Sequence, residues 1–288
     1  MSDTDSEVID NKERLGLTFH RTFSLMRSAV SQIIRAAEEV ELKGGKKLDL
    51  QNIKELSSLG SIYMQAMPRY ARGAGLLKSN NFLTDFGKYA IKFDPLLDQA
   101  GTQWLMHYHL SAPHGPGAPF WHEVTSKRFY PGSTFSAEDI FTDIGNFMLS
   151  ISAKKEPPKP KGVRSTATIF LGTYIKIECL GKIHILKDLP NGRYRVLEPG
   201  QIPVWAFGYA LLDYWSAYYP NRISVGLDTL QTSDFVKIFM IGKTELDSML
   251  QALQEAHYVE VHRTSTPHQI YLLRPDGELL LGKLYGAD

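Results

Sequence analysis

Apolar residues recur at three- and four-residue spacing over 19–40, through Phe23, Met26, Val30, Ile33, Ile34 and Ala37. That period predicts an amphipathic helix, ended by Gly44-Gly45. Leu50, Ile53, Leu56 and Leu59 predict a short second helix broken by Gly60, and 61–72 a third, closed by Gly73 and Gly75. Helix, glycine turn, helix and then GAGLLKSNNFLTDFG is the rhythm of a helix-turn-helix with an extended segment behind it. Pro68 lies inside the third helix, which is therefore expected to bend, since an interior proline costs about 3 kcal/mol. Downstream, 85–93 reads as a short helix stopped by Asp94-Pro95, and 102–110 as an apolar, aromatic helix. SAPHGPGAP (111–119) is a loop, and 135–151 a helix entered through Ser136 as N-cap with Asp139 three residues on.

The later part repeats the rhythm. The stretch 165–174 fits a helix or a strand, and HILKDLPNGRYRVL folds as a hairpin about Pro190-Asn191-Gly192. A buried helix over 202–218 carries Trp205 and Trp215. Helices at 227–241 and 243–256 precede two strands, 258–262 and 269–273. The expected fold is mainly α: winged helix-turn-helix units at the N-terminal and C-terminal ends, with short β-hairpin wings, a helical middle and a further candidate unit around 165–197.

Charge sharpens this outline. The 288 residues carry 32 Lys and Arg against 31 Asp and Glu, so no general basic coat holds the protein on nucleic acid. The surplus is local. Residues 154–164, KKEPPKPKGVR, hold five basic side chains and one acid, while 1–153 and 165–288 are slightly acidic. Pro157, Pro158 and Pro160 favour an extended chain there. The expected organisation is a disordered start (1–12), an N-terminal helical domain (13–153), a basic linker (154–164) and a C-terminal domain (165–288). A second basic window, 56–84, contains Arg69, Arg72 and Lys78 and no acid. The start, MSDTDSEVID, is unlike a signal peptide and no apolar run is long enough for a bilayer, so a cytoplasmic protein without membrane contact is expected.

Catalytic patterns are incomplete. Four of nine histidines, His107, His109, His114 and His122, cluster in the sequence. His107 and His109 point about 200° apart on a helix and are read as core residues. His114 and His122 have no acidic partner at diagnostic spacing. Asp94 before Pro95 reads as a turn cap, and FDPLLDQAGT lacks a nuclease-type E-x-K. The string IGKTE lacks the first glycine of a phosphate loop. The single cysteine, Cys179, excludes an intramolecular disulfide and Cys-rich zinc sites. Neither catalysis nor a metal or other cofactor is expected.

Several strings together resemble a known bacterial family. They are TFHRTFSLMR (18–27), LGSIYMQAMPRYARGAGLL (59–77), FDPLLDQAGTQWLMHYHL (93–110), VWAFGYALLDYW (204–215) and FVKIFMIGKTELDSMLQAL with YVEV (235–261). The strongest elements are His20, Thr22, Phe23 with Arg27, and Asp94, Pro95, Leu97, Asp98, Thr102, Trp104, Leu105 and His107. The family is domain of unknown function four-thousand-and-seven. The resemblance implies a mostly helical protein encoded beside phage-defence genes, those for DNA phosphorothioation foremost.

The function expected from these signals is that of a non-enzymatic, DNA-binding component of a defence or DNA-modification system. Its partners would be double-stranded DNA and proteins of the same operon, with a homodimer compatible with paired half-sites. Candidate DNA contacts are Ser61, Tyr63, Arg69, Arg72 and Lys78 on and after the third helix, and Lys154, Lys155, Lys159, Lys161 and Arg164 in the basic stretch. The alternative is a protein–protein adaptor that assembles a defence complex without touching DNA.

Overall fold

The first apolar run does not fold as one helix. In a computed structural model that describes residues 14–153, 155–264 and 266–287, helix α1 is Arg27–Leu42, and the chain before it turns repeatedly. Arg21 and Thr22 take positive φ of 47° and 73°, and the Thr22 amide donates to His20 Nδ1 at 3.0 Å. Phe19 is nevertheless buried, its ring edge-on to Tyr70 at 4.8 Å. Its helical spacing therefore reports burial of a loop. The expected disordered start and Lys154 lie outside the described residues.

Helices α2 (Leu50–Leu56) and α3 (Ser61–Gly73) follow as the spacing predicts, and α3 runs through Pro68. Asp49 caps α2 by accepting from Asn52 N. In place of a hairpin wing after α3, the chain makes one isolated bridge, Leu77 to Leu83. Gly75 is required at the turn: its φ is +76°, and a Cβ would come within 2.2 Å of His109. Thr84 caps α4 (Asp85–Phe93), and α5 (Ala100–Ser111) is buried from Gly101 to its end.

The remainder contains two units with one strand plan. The first runs α6 (Pro119–Arg128), β1 (Thr134–Ser136), α7 (Ala137–Ile151), α8 (Pro160–Ile175), β2 (Leu186–Leu189) and β3 (Arg193–Val196). The second runs α9 (Val204–Tyr218), β4 (Ser224–Gly226), α10 (Leu227–Gln231), α11 (Asp234–Phe239), α12 (Lys243–Glu255), β5 (Val259–His262) and β6 (Gln269–Leu272). In each sheet the last strand lies in the middle, in the orders β1-β3-β2 and β4-β6-β5, and all pairing is antiparallel. Helix α13 (Gly277–Tyr285) then packs on α9 and α4. The whole is mainly α, 56% helix with 13 helices among the described residues, and carries two small three-stranded sheets.

Three local expectations change. The basic stretch is not extended to residue 164, because Pro160 begins α8. Proline's fixed φ suits the first helical position, where its missing N–H costs nothing. The expected helix over 227–241 divides into α10 and α11 around Thr232-Ser233, with Ser233 Oγ donating back to Leu230 O. Each expected hairpin also gains a third strand, β1 or β4, too short to show in the sequence. Ser136 does cap α7 as predicted, in a capping box with Asp139. One hydrophobic core runs from Leu15 to Leu281 through both units.

Candidate nucleic-acid interface

The predicted contacts divide once placed in the fold. Ser61 is exposed at the start of α3, while Tyr63 is half-buried with its ring 4.3 Å from that of Phe23. Lys78 and Lys155 are exposed and line neither of the two hollows described below. Arg164 is engaged: it pairs with Glu138 at 2.8 Å and lies over the Phe141 ring. Arg69, Arg72, Lys159 and Lys161 behave differently, because the segment 14–22 gathers them around itself.

That segment separates two adjoining hollows of about 580 and 800 Å³, both bordered by Leu17, Thr18 and Arg21. Arg14, Arg69 and Arg72 line the smaller hollow, and Lys159 and Lys161 the larger, with no Asp or Glu on either. The basic window on α3 and the basic stretch before α8, 90 residues apart from Arg69 to Lys159, thus meet on one cleft. Arg14 and Arg21 were not foreseen. A signal for them exists, since 14–37 holds Arg14, Arg21, Arg27 and Arg35 and no acid. Of the two, only Arg21 falls within the helix expected over 19–40; Arg14 precedes it.

Arg14 is half-buried, donates Nε to Gly117 O at 3.3 Å, and keeps Nη2 without a hydrogen-bond partner. Burial holds its pKa below the usual guanidinium value. Arg69 reaches Phe19 O at 3.4 Å, tying α3 to the segment. His20 anchors the other side. Its Nδ1 accepts from Thr22, so Nε2 donates to Thr166 Oγ1 of α8 at 2.9 Å. Burial lowers the His20 pKa to about 4, so the ring is neutral at pH 7 and adds no charge to the cleft.

Arg27 and Asp98 join the two strongest sequence elements into the frame behind this cleft. Arg27 Nη1 meets Asp98 Oδ1 at 2.6 Å and Leu97 O at 3.0 Å, and Nε and Nη2 donate to Cys179 O and Ile177 O. Lys182 also pairs with Asp98, and these two cations hold the carboxyl below the usual carboxylate range. Asp94 accepts from the amides of Asp98 at 2.8 Å and Gln99 at 2.9 Å, the cap its place before Pro95 predicts. These residues fasten α1 and α5 to the segment following α8. Their sequence signal is architectural.

The histidines disperse. His107 is fully buried, with Nδ1 2.8 Å from Tyr174 Oη and Nε2 2.9 Å from Ile238 O, and burial pushes its pKa down to about 4. His109 is buried with Nε2 unpartnered. His114 pairs with Asp213 at 2.8 Å and His122 lies 3.8 Å from Asp234. The acids that local spacing lacked come from the second unit, one to each ring. Cys179 is buried beside Met26, its thiol pushed up to about 12 by burial, which leaves little reactive thiolate at neutral pH.

A family model described as protein of unknown function, DUF4007, matches residues 61–279. The chain belongs to the DUF4007 family. Two solved structures are similar in fold: a magnesium ion-bound SspB crystal structure, 16% identical with TM-score 0.76, and an SspB crystal structure, 15% identical with TM-score 0.74. Each comparison covers 93% of this chain and 87% of the other. No curated protein matches in sequence. Among the described residues, no group of three or more His, Cys, Asp or Glu side chains converges as a metal site would need. No helix among them is long and apolar enough to cross a membrane.

Proposed function

We propose that the protein is a DNA-binding component of a DNA phosphorothioation or related defence system. The family and the SspB-like fold support the system. The cleft supports DNA as ligand: six cations, Arg14, Arg21, Arg69, Arg72, Lys159 and Lys161, line it without an acid. Such a surface takes up phosphates and releases their counterions. On this reading the two units act as winged helices. Their element order supports it, each having a helix, a strand, two helices in the first unit or three in the second, and a hairpin whose last strand lies between the other two. The cleft then lies at the start of α8, the second of those two helices in the first unit.

Gel-shift titration across a salt series tests the reading. Six phosphate contacts predict a log–log slope of about −5, at about 0.9 per contact. No binding at low salt, or binding indifferent to salt, overturns it. Supercoiled plasmid incubated with the protein and magnesium should stay supercoiled. Conversion to nicked circles would replace the non-enzymatic reading with a hydrolytic one.

A specific feature favours an adaptor role for the second unit. Helix α12 carries Glu245, Asp247 and Glu255 against Lys243 alone, an acidic balance that repels phosphate. Co-purification of operon neighbours, unaffected by nuclease, supports that role, and loss of them on nuclease treatment removes it.

A further inference from the structure

The larger hollow is not simply a basic surface. Ile62, in the first turn of α3, is 50% exposed and lines it with the half-buried Leu17, while Arg21, Lys159 and Lys161 stand around the same space. Thr18, Thr22, Gln65 and Ser165 line the same hollow and supply hydroxyl and amide groups. Its volume, about 800 Å³, falls in the range of small-ligand sites, about 300–1,000 Å³. A surface made for duplex backbone needs no apolar floor, because a duplex presents phosphates first and keeps its base faces stacked. An unpaired nucleotide has both parts: an apolar face with polar edges, and a phosphate on either side.

Resting on the cleft as the nucleic-acid site, we infer that this hollow seats an unpaired nucleobase of a single-stranded segment. The base lies over Ile62 and Leu17, and its edge meets the hydroxyl and amide groups. The flanking phosphates lie on Arg21, Lys159 and Lys161. Arg21 borders both hollows, so the strand continues past it toward Arg14, Arg69 and Arg72. His20 also borders the hollow but takes no part in recognition, because it is 1% exposed and both ring nitrogens are engaged.

Fluorescence anisotropy on the full chain tests this with four labelled probes at one salt concentration. They are a twelve-nucleotide DNA strand, the same strand with abasic sites, the RNA strand of the same sequence and the matching DNA duplex. The expected result is at least tenfold tighter binding of a base-bearing strand than of the abasic strand or the duplex. The DNA and RNA arms identify the sugar. Ile62→Gln adds no charge and changes an exposed position, so it should leave the melting temperature and duplex binding unchanged while weakening the base-bearing strand at least fivefold. Abasic and base-bearing strands binding alike, or Ile62→Gln weakening all probes equally, overturns the base site and leaves the cleft as a phosphate-binding surface. Failure of every probe to bind at low salt overturns the cleft reading as well.

Discussion

Helices α8 and α12 hold matching places in the two units, and their outward chemistry is opposite. Helix α8 contains Lys161 and Arg164 and no acid, follows directly on Lys159, and is succeeded by strands exposing Lys187, Arg193 and Arg195. Helix α12 contains three acids and one lysine, and Asp247 is tied to Arg263 at 2.7 Å. Both helices bury an apolar face in the one core, Val163, Ala167 and Phe170 on α8, Leu246, Leu250 and Leu253 on α12. The inward faces set the topology. The outward faces are free to differ and decide what each unit meets, so a shared plan does not imply a shared partner.

The comparison breaks most directly at the cleft. Arg21→Glu, Lys159→Glu and Lys161→Glu together should lower DNA affinity more than 100-fold at low salt, by replacing three phosphate contacts with three repulsions. Unchanged gel shifts would show that the α8 side does not bind DNA.

The two units also share an interior, and acid should loosen it. His107 bonds Tyr174 of α8 and the Ile238 carbonyl of α11. Its folded pKa of about 4 lies below the ordinary 6.5, so the unfolded chain binds more protons between those values. Stability is therefore full above pH 6.5, falls as the pH drops toward 4, and loses about 3 kcal/mol from this group. Denaturant midpoints at pH 7.5 and pH 5 check the sign, and a flat profile would contradict it.

A smaller effect is expected from making α12 resemble α8. Asp247→Lys with Glu255→Lys should raise DNA affinity roughly tenfold at low salt. The same change should release any partner held by these acids, as read by co-purification. DNA binding that does not change would show that the second unit lacks more than charge. The smallest effect belongs to Lys155→Ala and Arg164→Ala. Each should alter DNA affinity less than twofold, because Lys155 lines neither hollow and Arg164 is paired with Glu138.

Much of the fold was legible along the chain. The apolar spacing of α2, α3, α9 and α12, the capping box at Ser136 and the turn at Pro190-Asn191-Gly192 are local signals, and the elements formed where those signals lay. The segment 14–22 was illegible for a physical reason. Its apolar residues are buried as a loop held by the His20 ring, and burial leaves the same spacing that a helix would. The site was half legible. Basic windows marked Arg69, Arg72, Lys159 and Lys161, while Arg21 fell inside the helix expected over 19–40 and Arg14 before it. Ser61, Tyr63, Lys78, Lys155 and Arg164 share the windows but do not line the two hollows.

By itself the sequence determined a mainly helical chain, its family and the presence of two local basic windows, because spacing, caps and charge runs are properties of neighbouring residues. The tertiary structure decided that those windows face each other across one segment. It also decided that the histidines separate into the core and into ion pairs with distant acids, and that two units of one plan present opposite charge. Those outcomes depend on contacts between residues tens to more than a hundred positions apart, such as His20 with Thr166 and Arg27 with Cys179 O. Such contacts are set by which apolar faces bury together, and local pattern does not record that.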